Sequence, residues 1–317
     1  MAIELNSRMK DEIERTAAGT GIVTVYGDKF TDEEMAGFDA MLLGFGKRGM
    51  LEDAAARGKN LRLIQTQSAG VDYIRFSSIP ERIMVCSNAG AFAEPMAEHT
   101  FAMILSLAKN IKANESIMHS GVFNNRSRGM EIKGSILGVF GYGGTGREVA
   151  KIGRALGMRI YAVSRRRPEG EHIDFYGTPD ELDRMLEKAD AVVISVPLTK
   201  STNGLFDRSK LEIMKKTAIL INVARGAIVV EDDLYTHLKA NPSFKAGIDT
   251  WWDEPPNGSK FTPKHDFLSM PNFIGSPHNS GVVEGMSRRS VLKAFENIVR
   301  YAGGKEPLNK VNRADYS

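Results

Sequence analysis

The sequence predicts an α/β protein of two domains, each built on a parallel sheet, and three observations carry that prediction. The chain has 317 residues, about twice the roughly 150 that make a typical domain. From Ile22 onward, short β-branched or apolar runs alternate with longer amphipathic stretches, the pattern of strand–helix–strand units around a parallel sheet. A long helical pattern then intervenes, and a fresh series of strands begins beyond it at Ser135.

Taken in order, the first series has strand candidates at 22–26, 40–44, 61–66 and 83–86, with helices near 31–37 and 51–57. The helical pattern at 94–120 has Pro95 in its first turn, where a missing N–H is harmless, and Gly121 just past its end. It reads as one helix bridging the domains. Strand candidates at 136–141, 159–164, 191–196, 218–223, 245–249 and 272–276 make a second, larger sheet. A final amphipathic segment at 283–301, ended by Gly303-Gly304, is expected to pack back on the first domain. The expected domains are therefore 1–92 plus 284–317, and 93–283.

Composition excludes several classes of function. With 42% hydrophobic and 26% charged residues, the chain can bury ordinary cores and is not a disordered or disulfide-stapled chain. The net charge is only +3, and its Lys and Arg are scattered, so nucleic acid is not an expected partner. Cys86 is the single cysteine. It can form no intrachain disulfide and has no neighbouring ligands for zinc, which points to a reducing, cytoplasmic setting and no metal site. The longest apolar runs fall far short of the ~20 residues that span a bilayer, and Met1-Ala2-Ile3-Glu4-Leu5 does not read as a signal peptide. No membrane association is expected.

The strand Ile136-Leu137-Gly138-Val139-Phe140 runs into Gly141-Tyr142-Gly143-Gly144-Thr145-Gly146 and then into a helical pattern from Arg147. Strand, G-x-G-x-x-G and helix stand in the order of a Rossmann-like dinucleotide site: Gly141 for the tight turn, Gly143 for close approach to a pyrophosphate, Gly146 for helix–strand packing. The phosphates would sit at a helix amino end. Roughly 20 residues on, where an NAD enzyme usually places an acid, the chain reads Ser164-Arg165-Arg166-Arg167. A hydroxyl and guanidinium groups suit the 2′-phosphate of NADP. NADP(H) is the expected cofactor, with NAD(H) as the alternative if this is merely a solvated basic loop.

Ligands of open parallel sheets bind beyond the carboxyl ends of the strands, and three late strands end in reactive residues. One runs through Asn222-Val223-Ala224 into Arg225-Gly226, one through Gly247-Ile248 into Asp249 with Glu254 five residues on, and one through Ser276-Pro277 into His278. Arg225, Asp249, Glu254 and His278 together make a workable acid/base site.

These three segments resemble the signatures of the D-isomer-specific 2-hydroxyacid dehydrogenase family, on its glyoxylate/hydroxypyruvate reductase or glycerate dehydrogenase side. The resemblance includes Ser68-Ala69-Gly70-Val71-Asp72, Gly141 to Gly146, and Val196-Pro197-Leu198-Thr199 with Thr202. It implies two Rossmann-like or flavodoxin-like domains with the active site in the cleft between them. It further implies that Arg225 holds a 2-oxo acid, that His278 donates a proton to the carbonyl as hydride arrives, and that Glu254 orients the imidazole. Ala69 and Gly70 would receive the substrate carboxylate. Val196, Pro197, Thr202, Val223, Ala224, Asp249, His278 and Ser280 would join Gly141, Gly143, Thr145, Gly146, Ser164, Arg165 and Arg166 in lining the cofactor. A homodimer formed through the cofactor domain is implied as well.

Each assignment has a plainer competitor: Asp249 as the cap of a turn, Arg225 as the partner of a structural carboxylate, Glu254 as a solvated turn residue before Pro255-Pro256, and Trp251 and Trp252 as pocket walls or as the cover of an interface. His99, His119, His172, His237 and His265 are expected to be ordinary surface or core residues. Thr145 replaces the family's branched aliphatic residue. Gln65-Thr66-Gln67-Ser68 contains no cation for a substrate phosphate, favouring glyoxylate, hydroxypyruvate or pyruvate over a phosphorylated acid. The rival enzymes are phosphoglycerate-type and formate-type dehydrogenases; the latter carry Gln at the position of Glu254. From another class, a dinucleotide-sensing corepressor can share this fold.

Overall fold

At the amino end, helix α1 (Ser7–Ala17) buries Met9, Ile13 and Ala17, whose i, i+4 spacing puts them on one face. The computed structural model describes residues 7–27, 29–45 and 48–316, in two compact units: Met1–Phe92 with Val283–Ser317, and Ala93–Val282. In the first, Thr31 starts helix α2 (Asp32–Gly37) with a reciprocal cap: its hydroxyl accepts Glu34 N–H at 3.2 Å, and Glu34 Oε2 accepts Thr31 N–H at 2.8 Å. Strand β1 (Ala40–Leu43), helix α3 (Arg48–Arg57), and strands β2 (Leu63–Thr66) and β3 (Met84–Cys86) follow. The three strands form a parallel sheet in the order β1-β2-β3, with Ala40 opposite Leu63 and Leu63 opposite Met84.

The strand expected at 22–26 does not form. Val23 is 88% exposed and Val25 41%, while Ile22 and Tyr26 are only half-buried against the apolar cluster of α1, so the segment alternates but packs on a helix and not in the sheet. Its polar residues turn instead to α1, where the Thr24 hydroxyl and the Tyr26 hydroxyl both donate to Glu14 Oε1.

In the second unit the single helix expected at 94–120 is two, α4 (Ala93–Ala108) and α5 (Ile111–His119). Asn110 breaks it by taking a left-handed conformation, φ 55°, which Asn tolerates better than most residues. Lys245 reaches in from a distant strand, donating to Leu107 O at 2.7 Å and Asn110 Oδ1 at 2.5 Å. That ammonium caps the carbonyl end of α4, a contact local sequence cannot announce.

There follow β4 (Ile136–Phe140), α6 (Gly144–Ala155), β5 (Arg159–Val163), β6 (Phe175–Gly177), α7 (Leu182–Lys188), β7 (Ala191–Ile194), α8 (Arg208–Ile213), β8 (Ile219–Asn222), α9 (Glu231–Ala240), β9 (Lys245–Ile248) and β10 (Phe273–Gly275). All seven strands are parallel, in the order β10-β9-β8-β7-β4-β5-β6. Strand β6 has no counterpart in the sequence pattern, because its three residues carry no readable alternation. Strands β4, β7 and β8 are buried at every position between two apolar clusters, which is why they read as continuous apolar runs. Strand order reverses between β4 and β7, a switch point where such sheets bind ligands. Because the strands are parallel, the loops after β4, β7, β8, β9 and β10 all emerge along one edge.

The chain then returns to the first unit with helix α10 (Met286–Ala302), whose Val291, Ala294, Phe295 and Ile298 pack with Ile13, Leu42, Leu63 and Cys86. Among the described residues no helix is long and apolar enough to cross a membrane.

Candidate active site

Gly141, at the end of β4, has φ 101°, and a Cβ there would stand 2.8 Å from the Ser195 backbone. At Gly146 a Cβ would fall 2.0 Å from Gly141 O and 3.0 Å from Val139, so only glycine lets α6 close on β4. Gly143 is different: a Cβ there would meet nothing within 4 Å. It caps α6 without a side-chain hydrogen bond, leaving the first-turn N–H groups to an outside acceptor. Open space beside an uncapped helix amino end fits a pyrophosphate. The departure at Thr145 is absorbed locally, its hydroxyl lying 3.9 Å from Met96 Sδ of α4.

Tyr142 donates to Glu171 Oε2 at 2.7 Å, and Arg147 pairs with Glu171 Oε1 at 2.6 Å, tying the segment after β5 to α6. Burial first, and Glu171 second, push the Tyr142 hydroxyl up to about 12. Ser164 donates to Arg166 O at 2.8 Å, and its own carbonyl accepts the Tyr176 hydroxyl at 2.7 Å. The Arg165 and Arg166 side chains are exposed, and Arg167 lies over the Tyr176 ring.

Past β7, Thr202 Oγ1 donates to Pro197 O at 2.7 Å and accepts Thr199 N–H at 2.8 Å, closing the turn that follows Val196. Past β8, the Asn222 side chain accepts Ala224 N–H at 3.0 Å and donates to Arg225 O at 2.8 Å, while Val223 is buried. Gly226 then lies so close to the neighbouring loop that a Cβ would be 2.4 Å from the Trp251 carbonyl carbon. The absent side chain thus brings the Arg225 segment against 251–254.

His278, after β10, has φ 51°, unusual for a non-glycine residue. Its Nδ1 meets Glu254 Oε2 at 2.7 Å, and Glu254 Oε1 accepts Trp251 N–H at 2.8 Å. Burial pushes the Glu254 carboxyl up, but the His278 bond, the Trp251 N–H and the charges of His278 and Arg225 outweigh it and hold it below its ordinary range. An ionised Glu254 makes Nδ1 the donor and leaves Nε2 as the working nitrogen. The two side chains are 42% and 37% exposed, and such a pair adds only about 0–1 kcal/mol to stability. Its geometry serves chemistry better than it serves the fold.

Asp249 is fully buried. Its Oδ1 accepts the Ser276 hydroxyl at 2.6 Å and Asn279 N–H at 3.0 Å, and Oδ2 accepts Ser280 N–H at 3.1 Å. Burial raises the carboxyl, but the bonds from Ser276, Ser280 and Asn279 prevail and keep it low. Asp249 therefore anchors the loop that carries His278, in addition to any contact with a cofactor. Trp251 and Trp252 belong to an aromatic cluster: Trp251 is 8% exposed and donates to Ser276 O at 2.9 Å, and Trp252 stacks on Phe267 at 15°. Both are held by the protein's own aromatic packing.

His99, expected to be a bystander, sits on α4 with Nε2 2.9 Å from Ser276 Oγ. The two are 177 residues apart, so no local pattern could have joined them. In the first unit, Ala69 and Gly70 follow β2, with Ser68 Oγ donating to Gly70 O at 2.8 Å. Gln65, Thr66 and Gln67 are buried, and the Gln67 amide donates to Ser290 on α10 at 3.0 Å.

Comparison with known proteins shows the family. A family model described as D-isomer specific 2-hydroxyacid dehydrogenase, NAD binding domain, matches residues 101–280. The chain is 33% identical over 270 residues to a glyoxylate reductase of Aeropyrum pernix, covering 82% of this chain and 79% of that one. It is 30% identical over 257 residues to a hydroxypyruvate reductase of Thermotoga maritima, covering 79% and 81%. A solved structure from Pyrobaculum aerophilum, described as a candidate formate dehydrogenase, superimposes with a TM-score of 0.82 at 28% identity, covering 99% of this chain and 98% of that one.

Proposed function

The chain belongs to the D-isomer specific 2-hydroxyacid dehydrogenase family, and on that premise we propose how its own residues carry out the family reaction and on what. It is an NAD(P)-dependent oxidoreductase that interconverts 2-oxo and D-2-hydroxy acids. When bound, the dihydronicotinamide supplies a hydride for the carbonyl carbon. Arg225 holds the substrate through its carboxylate and carbonyl oxygen, a task for a planar, permanently charged fork. His278 gives the proton on Nε2 to that oxygen and takes it back in the oxidative direction. Glu254 holds the imidazole by Nδ1 throughout. Ala69 and Gly70 offer backbone to the carboxylate, and the turn residues Val196, Pro197, Thr202, Val223 and Ala224, with Asp249 and Ser280, line the cofactor.

The observation that carries this reading is the 2.7 Å bond between His278 Nδ1 and Glu254 Oε2, on a carboxylate that also feels the charge of Arg225. Glyoxylate, hydroxypyruvate and pyruvate are the proposed substrates. In support, the residues before Ala69 present no cation for a phosphate, and Gln65 and Gln67 are turned into their own unit. The exposed Arg165 and Arg166 beyond β5 support NADP(H) over NAD(H). A homodimer is proposed through the second unit, where Ile111, Met118, Val122 and Phe123 are 53–83% exposed, an unusual run of apolar surface. The proposed location is the cytoplasm.

The test is turnover. Purified protein with NADPH or NADH and a panel of 2-oxo acids should consume cofactor at enzymatic rates, and His278→Ala should lower kcat by about 10² with cofactor affinity nearly unchanged. Cofactor binding without turnover would favour the corepressor reading; full activity in His278→Ala would remove the imidazole from the mechanism.

A further inference from the structure

The Asp249 carboxylate takes bonds from three residues of the loop after β10, and its backbone C=O takes the His278 N–H at 2.8 Å. Held ionised, that carboxylate has no proton to give. The single hydroxyl hydrogen of Ser276 therefore lies in the 2.6 Å bond to Asp249 Oδ1. The same hydroxyl oxygen stands 2.9 Å from His99 Nε2. With its hydrogen committed, the oxygen must accept there, and His99 must carry its proton on Nε2. Donor counting thus sets a directed chain, His99 to Ser276 to Asp249, linking α4 to the loop of the proton-transferring residue.

That loop needs such support. His278 at φ 51° occupies a region that costs a non-glycine residue about 1–3 kcal/mol and persists only where the surroundings over-determine it. A serine hydroxyl with one partner retains a choice of staggered positions, whereas one gripped on both sides does not. Resting on the reading of His278 as the acid/base, we propose that His99 is a positioning residue: through Ser276 and Asp249 it keeps the loop at 276–280 in the conformation that presents the His278 imidazole to Glu254.

The experiment compares His99→Leu, which removes the donor, with His99→Gln, whose terminal amide can replace it. Amide hydrogen exchange at Asn279 and Ser280 is measured in the cofactor-free protein, and kcat in the holoenzyme. Loss of one hydrogen bond of ordinary net strength predicts about a fivefold rise in exchange at these amides and about a fivefold fall in kcat for His99→Leu. His99→Gln should recover both to within about twofold. Ser276→Ala should show the same losses, and adding His99→Leu to it should do no further harm, because the two act in series. Three results would overturn the proposal: unchanged exchange at 279–280 in His99→Leu, a Gln variant as impaired as Leu, or losses spread over every core amide with a lowered Tm. Exchange is read without substrate or cofactor, so it judges the His99 link separately from turnover. Full activity in His278→Ala would fell the catalytic reading and leave the exchange result standing.

Discussion

Gly226→Ala tests whether backbone proximity holds the site together. The new Cβ would lie 2.4 Å from the Trp251 carbonyl carbon, 2.5 Å from its oxygen and 2.7 Å from Trp252 N. Ordinary contact needs about 3.4 Å, so the two segments must part by about 1 Å. Neither side is free to yield. Trp251 N–H is bonded to Glu254 and its indole to Ser276 O; the Gly226 carbonyl accepts Val229 N–H at 3.0 Å. The displacement therefore reaches Arg225, next in the chain. A misplacement of about 1 Å in a substrate-positioning group costs about 10² in rate, and overpacking of this kind destabilises by about 1–3 kcal/mol. Initial rates with hydroxypyruvate and NADPH should show kcat/KM lowered about 10²-fold, while nucleotide fluorescence should report little change in cofactor Kd. Urea unfolding should give the stability loss. A variant with undiminished kcat/KM would refute the claim that this close approach places Arg225.

Arg225→Lys should raise the substrate KM by about tenfold or more, since an ammonium cannot make a two-pronged contact; steady-state kinetics with an unaltered KM would contradict the assigned role. Replacing Arg165 and Arg166 together by Ala should weaken NADPH more than NADH, read as the ratio of kcat/KM for the two cofactors. An unchanged ratio would remove both side chains from cofactor selection. The Asp249 carboxyl is held low in the folded protein, so its ionisation stabilises the fold fully above the unfolded value of about 3.9 and ceases to as pH falls below it through the folded value. Denaturation curves of Asp249→Asn and the natural chain should therefore differ by a constant amount near neutrality and converge below about pH 4. A gap that stayed the same under strong acid would argue that Asp249 is not the ionised anchor described.

Much of the fold was legible because its main strands announce themselves. Strands β4, β7 and β8 are sealed on both faces and appear as unbroken apolar runs. The glycine loop was legible for a steric reason: Gly141 and Gly146 stand where a Cβ would strike backbone. Where reading failed, the deciding contact was remote. Val23 and Val25 alternate like a strand yet face solvent, and Asn110 ends a helix with the help of Lys245, 135 residues away.

The sequence by itself determined the alternation of strand and helix, the family, and the residue types at the strand ends, because sterics and side-chain chemistry are local and the motifs are contiguous. Only the tertiary structure showed the contacts themselves. It gave the pair of His278 and Glu254, which the family resemblance implied, its 2.7 Å geometry, turned Asp249 into the anchor of the imidazole's loop, and drew His99 to Ser276. Those pairings depend on the order of strands in the sheet and on hydrogen-bond directions between elements tens to hundreds of residues apart, which no periodicity along a single chain encodes.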